Sequence, residues 1–233
     1  MYKNKKILAV IPARGGSKGV HKKNLKKINN KPIVALAGLC AKEIKEIDRI
    51  IVSTDDKEIA DTALKYEIDV PFFRPIEISG DKAADLEVLA HAINEMDKID
   101  NEKYDIIVLL QPTAPLRKSN DVLETIKILI DNNLDSVWTI TKTDLKYHPI
   151  KQIKLHNNLI SYVIPEGETI PRRQDLIQTY HVNGVAYALT RECVLNQKNR
   201  LGKKAGAHVI DGPSVSIDTL EDFEIVQSIF DKN

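Results

Sequence analysis

Unbroken aliphatic runs recur along the chain, separated by longer stretches in which apolar residues return with a helical period. A short run with no polar alternation reads as a strand buried on both faces. On this pattern strands fall at Ile7 to Ile11, Ile50 to Ser53, Val70 to Phe73, Ile106 to Leu110, Ser136 to Ile140, Val185 to Leu189 and Val215 to Ile217. Most are followed by a helical stretch, so the chain is expected to be α/β, a mostly parallel sheet with helices on both faces. The alternation breaks between Thr143 and Tyr180. There "KYHPIKQIKLHNNLISYVIPEGETIPRRQDLIQTY" reads as paired strands with turns at Asn157-Asn158 and Glu166-Gly167. With no internal repeat and no evident linker, residues 1–233 are read as a single domain carrying 143–180 as an excursion.

Composition narrows the class. A chain of 233 residues, 42% hydrophobic, can bury a full core. Its formal net charge of +1 excludes a nucleic-acid binder held by bulk charge, so any anion site must be local. Cys40 and Cys193 lie far apart with no Cys/His cluster around them, and read as reduced core thiols. The apolar run after the basic N-terminus ends at Pro12, too short for a signal or a membrane span. The expectation is a soluble, cytoplasmic protein with no membrane partner.

In open α/β sheets ligands collect beyond the carboxyl ends of the strands. The first such loop is "IPARGGSKGVHKKN". Gly15 and Gly16 allow close backbone approach to an anion, and Arg14, Lys18, Lys22 and Lys23 supply charge and donors, a chemistry suited to a polyphosphate. The loop has neither the Gly-Lys-Ser/Thr close of a P-loop nor a GxGxxG fingerprint. Asp218 ends a predicted strand, with Thr219 as the cap of a helix whose buried face carries Phe223, Val226 and Phe230. Its carboxylate is the foremost metal candidate, and Glu221 and Asp222 read as exposed first-turn acids.

The opening loop resembles that of the acylneuraminate cytidylyltransferases, the CMP-sialic acid synthetases, which include CMP-legionaminic acid synthetases. "IIVSTDD" at 50–56, "FRPIEIS" at 73–79, "LLQPTAPLR" at 109–117, "RRQD" and "NGVAY" between 172 and 187, and "SIDTLEDF" at 216–223 are similar to that family's successive motifs. The resemblance implies a Rossmann-like nucleotidyltransferase fold and a homodimer whose excursion is a dimerisation arm reaching the partner's sugar pocket. The implied reaction joins CMP from CTP to a nine-carbon 2-keto sugar acid and releases pyrophosphate. The alternatives are a Kdo cytidylyltransferase, whose opening loop normally runs differently, and a catalytically silent nucleotide-binding homologue.

Site residues follow from the same resemblance. Arg14 and Lys23 contact phosphate, the backbone of Gly15, Gly16 and Ser17 lies along the triphosphate, and Asn24 helps hold the nucleotide. Lys18 and Lys22 either join them or face solvent. Arg74, Ala83 and Asp85 fall at the base, with the alternative that Arg74 is a strand-end cation paired with Glu77. Gln111, Arg172, Arg173, Gln174, His181, Asn183 and Tyr187 fall on the sugar-acid side. Arg117 reads as structural, opening a helix capped by Ser119 or Asn120, and His91 and His148 read as structural or solvent-facing. Mg²⁺ is the implied cofactor, held at Asp218 with Ser216 where many members carry Asp-x-Asp. His181 stands where sialic acid synthetases are expected to have arginine, which leaves the nonulosonic acid open.

Overall fold

The computed structural model describes residues 1–169, 172 and 176–232. The strands are β1 (Ile7–Pro12), β2 (Lys27–Ile28), β3 (Lys31–Pro32), β4 (Arg49–Ser53), β5 (Ile106–Leu109), β6 (Ser136–Lys142), β7 (Ile153–His156), β8 (Leu159–Tyr162), β9 (Tyr180–Thr190) and β10 (Ala205–Val209). The helices are α1 (Ile33–Lys42), α2 (Lys57–Lys65), α3 (Asp85–Ile99), α4 (Ser119–Asp131) and α5 (Leu220–Phe230). Among the described residues, six strands form the central sheet in the order β10-β6-β9-β5-β1-β4, with β9 antiparallel to both neighbours and the other pairs parallel. None of the helices among them is long and apolar enough to cross a membrane.

β1 explains the sandwich. Ile7, Ala9 and Ile11 point into one apolar cluster with residues of α1, α2 and α4, while Leu8 and Val10 point into a second with Leu89, Ala92, Ile93 and Met96 of α3. Successive side chains of a strand face opposite ways, so an unbroken apolar run requires cover on both faces.

Three expected features differ. Val70 to Phe73 is not a strand: the chain bends at Phe72, and isolated bridges on either side of the bend pair Asp69 with Ile51 of β4 and Phe73 with Thr54 just beyond it. Pro71 lacks the N–H that a continuous ladder needs. Val215 to Ile217 is not a strand, and Ile217 N–H donates instead to the Thr113 carbonyl at 2.8 Å. In the excursion, β7 and β8 pair across Asn157-Asn158, both at positive φ. Glu166-Gly167 lies instead within a 3₁₀ turn over Pro165–Thr169.

Both cysteines are free. Cys193 is buried and Cys40 half-buried, and burial pushes each thiol up to about 11.

Candidate functional site

The opening loop leaves β1 at the carboxyl edge of the parallel strands. Ala13 N–H still donates to the Ser53 carbonyl at 3.0 Å, and the chain then turns outward at Arg14. Gly15 N–H donates to Asp55 Oδ1 at 3.1 Å and Ser17 N–H to the Gly15 carbonyl at 3.0 Å, so these two donors are engaged within the protein. A Cβ on Gly15 would lie 2.6 Å from Asp56 Oδ2, whereas one on Gly16 would meet nothing within 4 Å. Glycine is therefore required at 15 by the neighbouring acid, and 16 is the open position. Asn24 donates from Nδ2 to the Arg14 carbonyl at 3.0 Å and fixes the backbone beside the guanidinium.

Two cavities meet at this loop. One, of about 520 Å³, is lined by Arg14, Lys18, Lys23, Gln111, Ser216 and Asp218 among others. The other, of about 220 Å³, includes Arg14, Arg74, Asp81, Ala83 and Asp85. Arg14 lines both, and it is paired at 2.6 Å with Asp81, which also pairs with Lys18. These two cations hold the Asp81 carboxyl below the usual carboxylate range, Lys18 contributing most. Lys18 thus contributes to the site, while Lys22 faces solvent in a pair with Glu58.

Arg74 is buried in the smaller cavity. Its Nε donates to Ser79 Oγ at 3.1 Å and its Nη2 lies 3.7 Å from Asp55, so its partners are these rather than Glu77. Burial draws its pKa down and Asp55 opposes the shift. Asp85, expected at the base, lines the same cavity and pairs at 3.1 Å with Arg200, whose guanidinium lies 4.7 Å from the Tyr187 ring centroid and 4.8 Å from that of Trp138. Tyr187 is buried edge-on against Trp138.

The Asn-Gly of "NGVAY" folds a bulge in β9, where the register against β6 shifts between Trp138 and Ile140. Asn183 Oδ1 accepts from Thr139 Oγ at 2.6 Å and from Val185 N–H at 3.1 Å, and its Nδ2 donates to Thr141 Oγ1 at 3.0 Å. Gly184 sits at φ +73°, where a Cβ would approach Gln111 Oε1 to 3.2 Å. Arg117 ties bulge to loop, donating from Nε to the Val185 carbonyl at 2.5 Å and from Nη2 to the Gln111 carbonyl at 2.7 Å. Its role is structural, and burial brings its pKa down to about 10. The helix that follows has Lys118 at its N-cap with no side-chain cap, so the expected caps Ser119 and Asn120 fall inside the helix.

Gln111 and Asn183 face different spaces. Asn183 lines a separate cavity of about 510 Å³, with Val185, Asp211 and Ser214, that shares no lining residue with the Gln111 cavity. His181 is exposed, its Nδ1 3.1 Å from Thr143 Oγ1. Arg172 is exposed on the excursion, and Arg173 and Gln174 lie outside the described residues. His148 accepts from Ile150 N–H and lies 3.1 Å from the Ile177 carbonyl, and His91 packs edge-on to Phe72.

Lys23 Nζ donates to the Ile217 carbonyl at 2.9 Å and to Asp218 Oδ1 at 3.1 Å, pinning the opening loop to the C-terminal segment. Gly19 packs there too, since a Cβ would come within 2.6 Å of the Asp218 carbonyl oxygen. Thr219 caps α5 as expected. Asp222 is more than an exposed acid, because its Oδ2 accepts from Asp218 N–H at 2.8 Å and Thr219 N–H at 2.7 Å. Among the described residues no three His, Cys, Asp or Glu gather as a metal cage. The Asp218 carboxylate, 74% exposed and beside Ser216 in the cavity lining, fits a hard cation that draws most of its ligands from phosphate and water.

Asp55, Asp81, Gly19 and Arg200 were not singled out from the sequence. The double Asp closing "IIVSTDD" and the lone acid in "SGDKAAD" were the available signals for the first two.

A glycine-rich basic loop after the first strand, adjoining a second cavity at the same sheet edge, defines an α/β protein built around a nucleoside polyphosphate site. A family model described as cytidylyltransferase matches residues 8–211, and the chain belongs to that family, as a CTP-dependent nucleotidyltransferase. It is 31% identical to the pseudaminic acid cytidylyltransferase of Campylobacter jejuni subsp. jejuni serotype O:23/36 (strain 81-176), over 98% of this chain and 97% of the other. It is 28% identical to the CMP-N,N'-diacetyllegionaminic acid synthase of Legionella pneumophila subsp. pneumophila (strain Philadelphia 1), over 98% and 97%. A solved CMP:2-keto-3-deoxy-manno-octonic acid synthetase complexed with CTP shares the fold, with a TM-score of 0.74 at 18% identity over 98% of this chain and 99% of that one.

Proposed function

We propose that the protein transfers CMP from CTP to the anomeric hydroxyl of a nonulosonic acid, a nine-carbon 2-keto sugar acid, releasing pyrophosphate. The observation that carries this reading is the pair of cavities sharing Arg14, one rich in cations and the other walled by the buried Arg74. A nucleoside triphosphate would span them, its base by Arg74 and Ala83 and its phosphates by Arg14, Lys18 and Lys23. The sugar hydroxyl oxygen forms a bond to the α-phosphorus, the bond from that phosphorus to the bridging oxygen breaks, pyrophosphate departs and the hydroxyl proton is released. Charge grows on the phosphoryl and pyrophosphate oxygens, where fixed cations already in place lower the barrier most. Gln111 lines the cation-rich cavity and would meet the sugar acid through its amide.

Asp218, with Ser216 beside it, would hold Mg²⁺, which when bound supplies charge neutralisation along the polyphosphate. The protein would work in the cytoplasm as a homodimer. Support for the dimer comes from the β7–β8 hairpin, where Ile153, Leu155, Leu159 and Ile160 are 55–75% exposed, a surface that water alone would cover poorly. Sedimentation should show a dimer at micromolar concentration, and a monomer once the hairpin is deleted. The similarity to enzymes named for pseudaminic and legionaminic acids supports trying both acids alongside N-acetylneuraminate as acceptors.

The test is pyrophosphate release from CTP and Mg²⁺ with N-acetylneuraminate, N,N'-diacetyllegionaminate, pseudaminate and Kdo, the CMP-sugar being identified by mass spectrometry. One or more of the nine-carbon acids should be consumed. Turnover of Kdo alone, or of none, would overturn the proposal.

A further inference from the structure

The segment after β4 joins the two cavities through one side chain. Thr54 carbonyl accepts Arg74 N–H at 2.7 Å, which sets the Arg74 backbone against the sheet edge. Asp56 N–H donates to Thr54 Oγ1 at 3.1 Å, and Asp56 Oδ1 caps α2 by accepting Ile59 N–H at 3.0 Å, so residues 54–56 are braced on both sides. Between them Asp55 extends one carboxylate oxygen, Oδ1, to two places. It accepts Gly15 N–H at 3.1 Å and lies 3.7 Å from Arg74 Nη2. The Arg74 side chain is 3% exposed and that of Asp55 is 17% exposed.

We infer that Asp55 is a positioning residue that couples the nucleobase cavity to the phosphate loop, holding Arg74 and Gly15 in one register so that base and triphosphate are bound as a unit. A guanidinium this buried needs a counter-charge, and Asp55 is the acid paired with it. The same oxygen fixes the N–H at the start of the basic loop, immediately after Arg14. Gly15 is pressed against the adjoining Asp56, as its Cβ clearance shows, so displacement of 54–56 moves the loop with it. Any movement of Arg74 toward a base is felt at Gly15, and any movement of the loop toward phosphate is felt at Arg74. Asp55 touches neither substrate on this reading and acts through the two groups it holds.

This inference rests on the proposed assignment of the two cavities to cytosine and to phosphate, and the two can fail separately. Calorimetry would measure CTP and inorganic tripolyphosphate binding to the wild-type protein and to Asp55→Asn and Asp55→Ala, with circular dichroism as the check on folding. Asparagine keeps an acceptor for Gly15 but lacks the charge for Arg74, whereas alanine lacks both. Asp55→Asn should weaken CTP about tenfold, within the usual range for the coupling between two sites, while tripolyphosphate stays within about threefold of wild type. Asp55→Ala should weaken both ligands at least about tenfold. Preference for CTP over UTP should fall in both variants. Should the alanine variant not fold, the split between the two ligands in Asp55→Asn still decides. Wild-type protein that fails to bind CTP overturns the functional reading and this inference with it. Wild-type protein that binds CTP, with Asp55→Asn weakening both ligands equally or neither, overturns the coupling alone.

Discussion

Replacing Asp81 by asparagine should tighten the binding of CTP, although it removes a polar contact from the site. The Asp81 carboxylate, in the lining of the smaller cavity, neutralises Arg14, which lines both, at 2.6 Å and also engages Lys18 of the larger one. A triphosphate entering there competes with that carboxylate for the same two cations. Arg14 and Asp81 are each about one-third exposed and Lys18 far more so, which puts both pairs in the weak, solvent-screened class. An exposed ion pair of this kind stabilises by a factor of about 1.5 to 5, so removing two should improve CTP affinity by about two- to twenty-fivefold. The gain should shrink as salt is added, because screening already weakens the same pairs in the wild-type protein. Calorimetric titration with CTP in chelator, at low and at high salt, isolates this competition from any metal. Unchanged or weaker CTP binding by Asp81→Asn in chelator would refute the reasoning. A gain that persisted undiminished at high salt would show that something other than charge competition was at work.

Asp218→Asn should nearly abolish turnover at ordinary Mg²⁺, and Ser216→Asp should lower the Mg²⁺ needed for half-maximal rate; rate against Mg²⁺ for both variants checks this, and an unchanged requirement in Asp218→Asn would place the metal elsewhere. Arg117→Met removes the guanidinium donor from the Val185 and Gln111 carbonyls, the latter keeping only Ala114 N–H at 3.2 Å, and should cost about 2–4 kcal/mol, a fall in Tm of about 5–15 °C by calorimetry. Cys40 and Cys193 keep their protons in the folded protein up to about 11, against a reference value of 9.0. The unfolded chain loses those protons first, so their contribution is complete below the lower value and is lost as pH rises through the upper one. Urea midpoints should fall across that window, and less steeply in Cys193→Ala.

The strands that were legible in the sequence are those buried on both faces. β1 and β5 carry unbroken aliphatic runs because the helical layers leave no polar side for them to show. β10 was missed because Ala-Gly-Ala-His-Val pairs with β6 alone and exposes alternate residues, so that small side chains serve where a bulky run would signal a core strand. The helix cap at Thr219 was visible because capping is local, needing only the residues of one turn. The cations of the opening loop were visible for the same reason. The acids that oppose them were not. Asp55 and Asp81 reach Gly15 and Arg14 from 40 and 67 positions away, and local spacing carries no trace of such a pairing. Asn183 shows the converse: the motif was legible, but its amide is spent on Thr139, Thr141 and Val185 in shaping the bulge.

Lys142 lies opposite Tyr180 in the sheet, and Thr143 N–H donates to the Thr179 carbonyl at 2.9 Å, so the excursion departs and re-enters through touching residues. A loop whose ends already meet is tolerant of length, since doubling it adds only about 0.6 kcal/mol of closure entropy. The segment between is therefore a cassette. Whatever is spliced in at Thr143 and Thr179 inherits a closed frame, and the cation-rich loop at the far end of β1 need not be rebuilt to receive it. A lineage could exchange that segment in one recombination event, and a laboratory graft at the same two residues would follow the same seam.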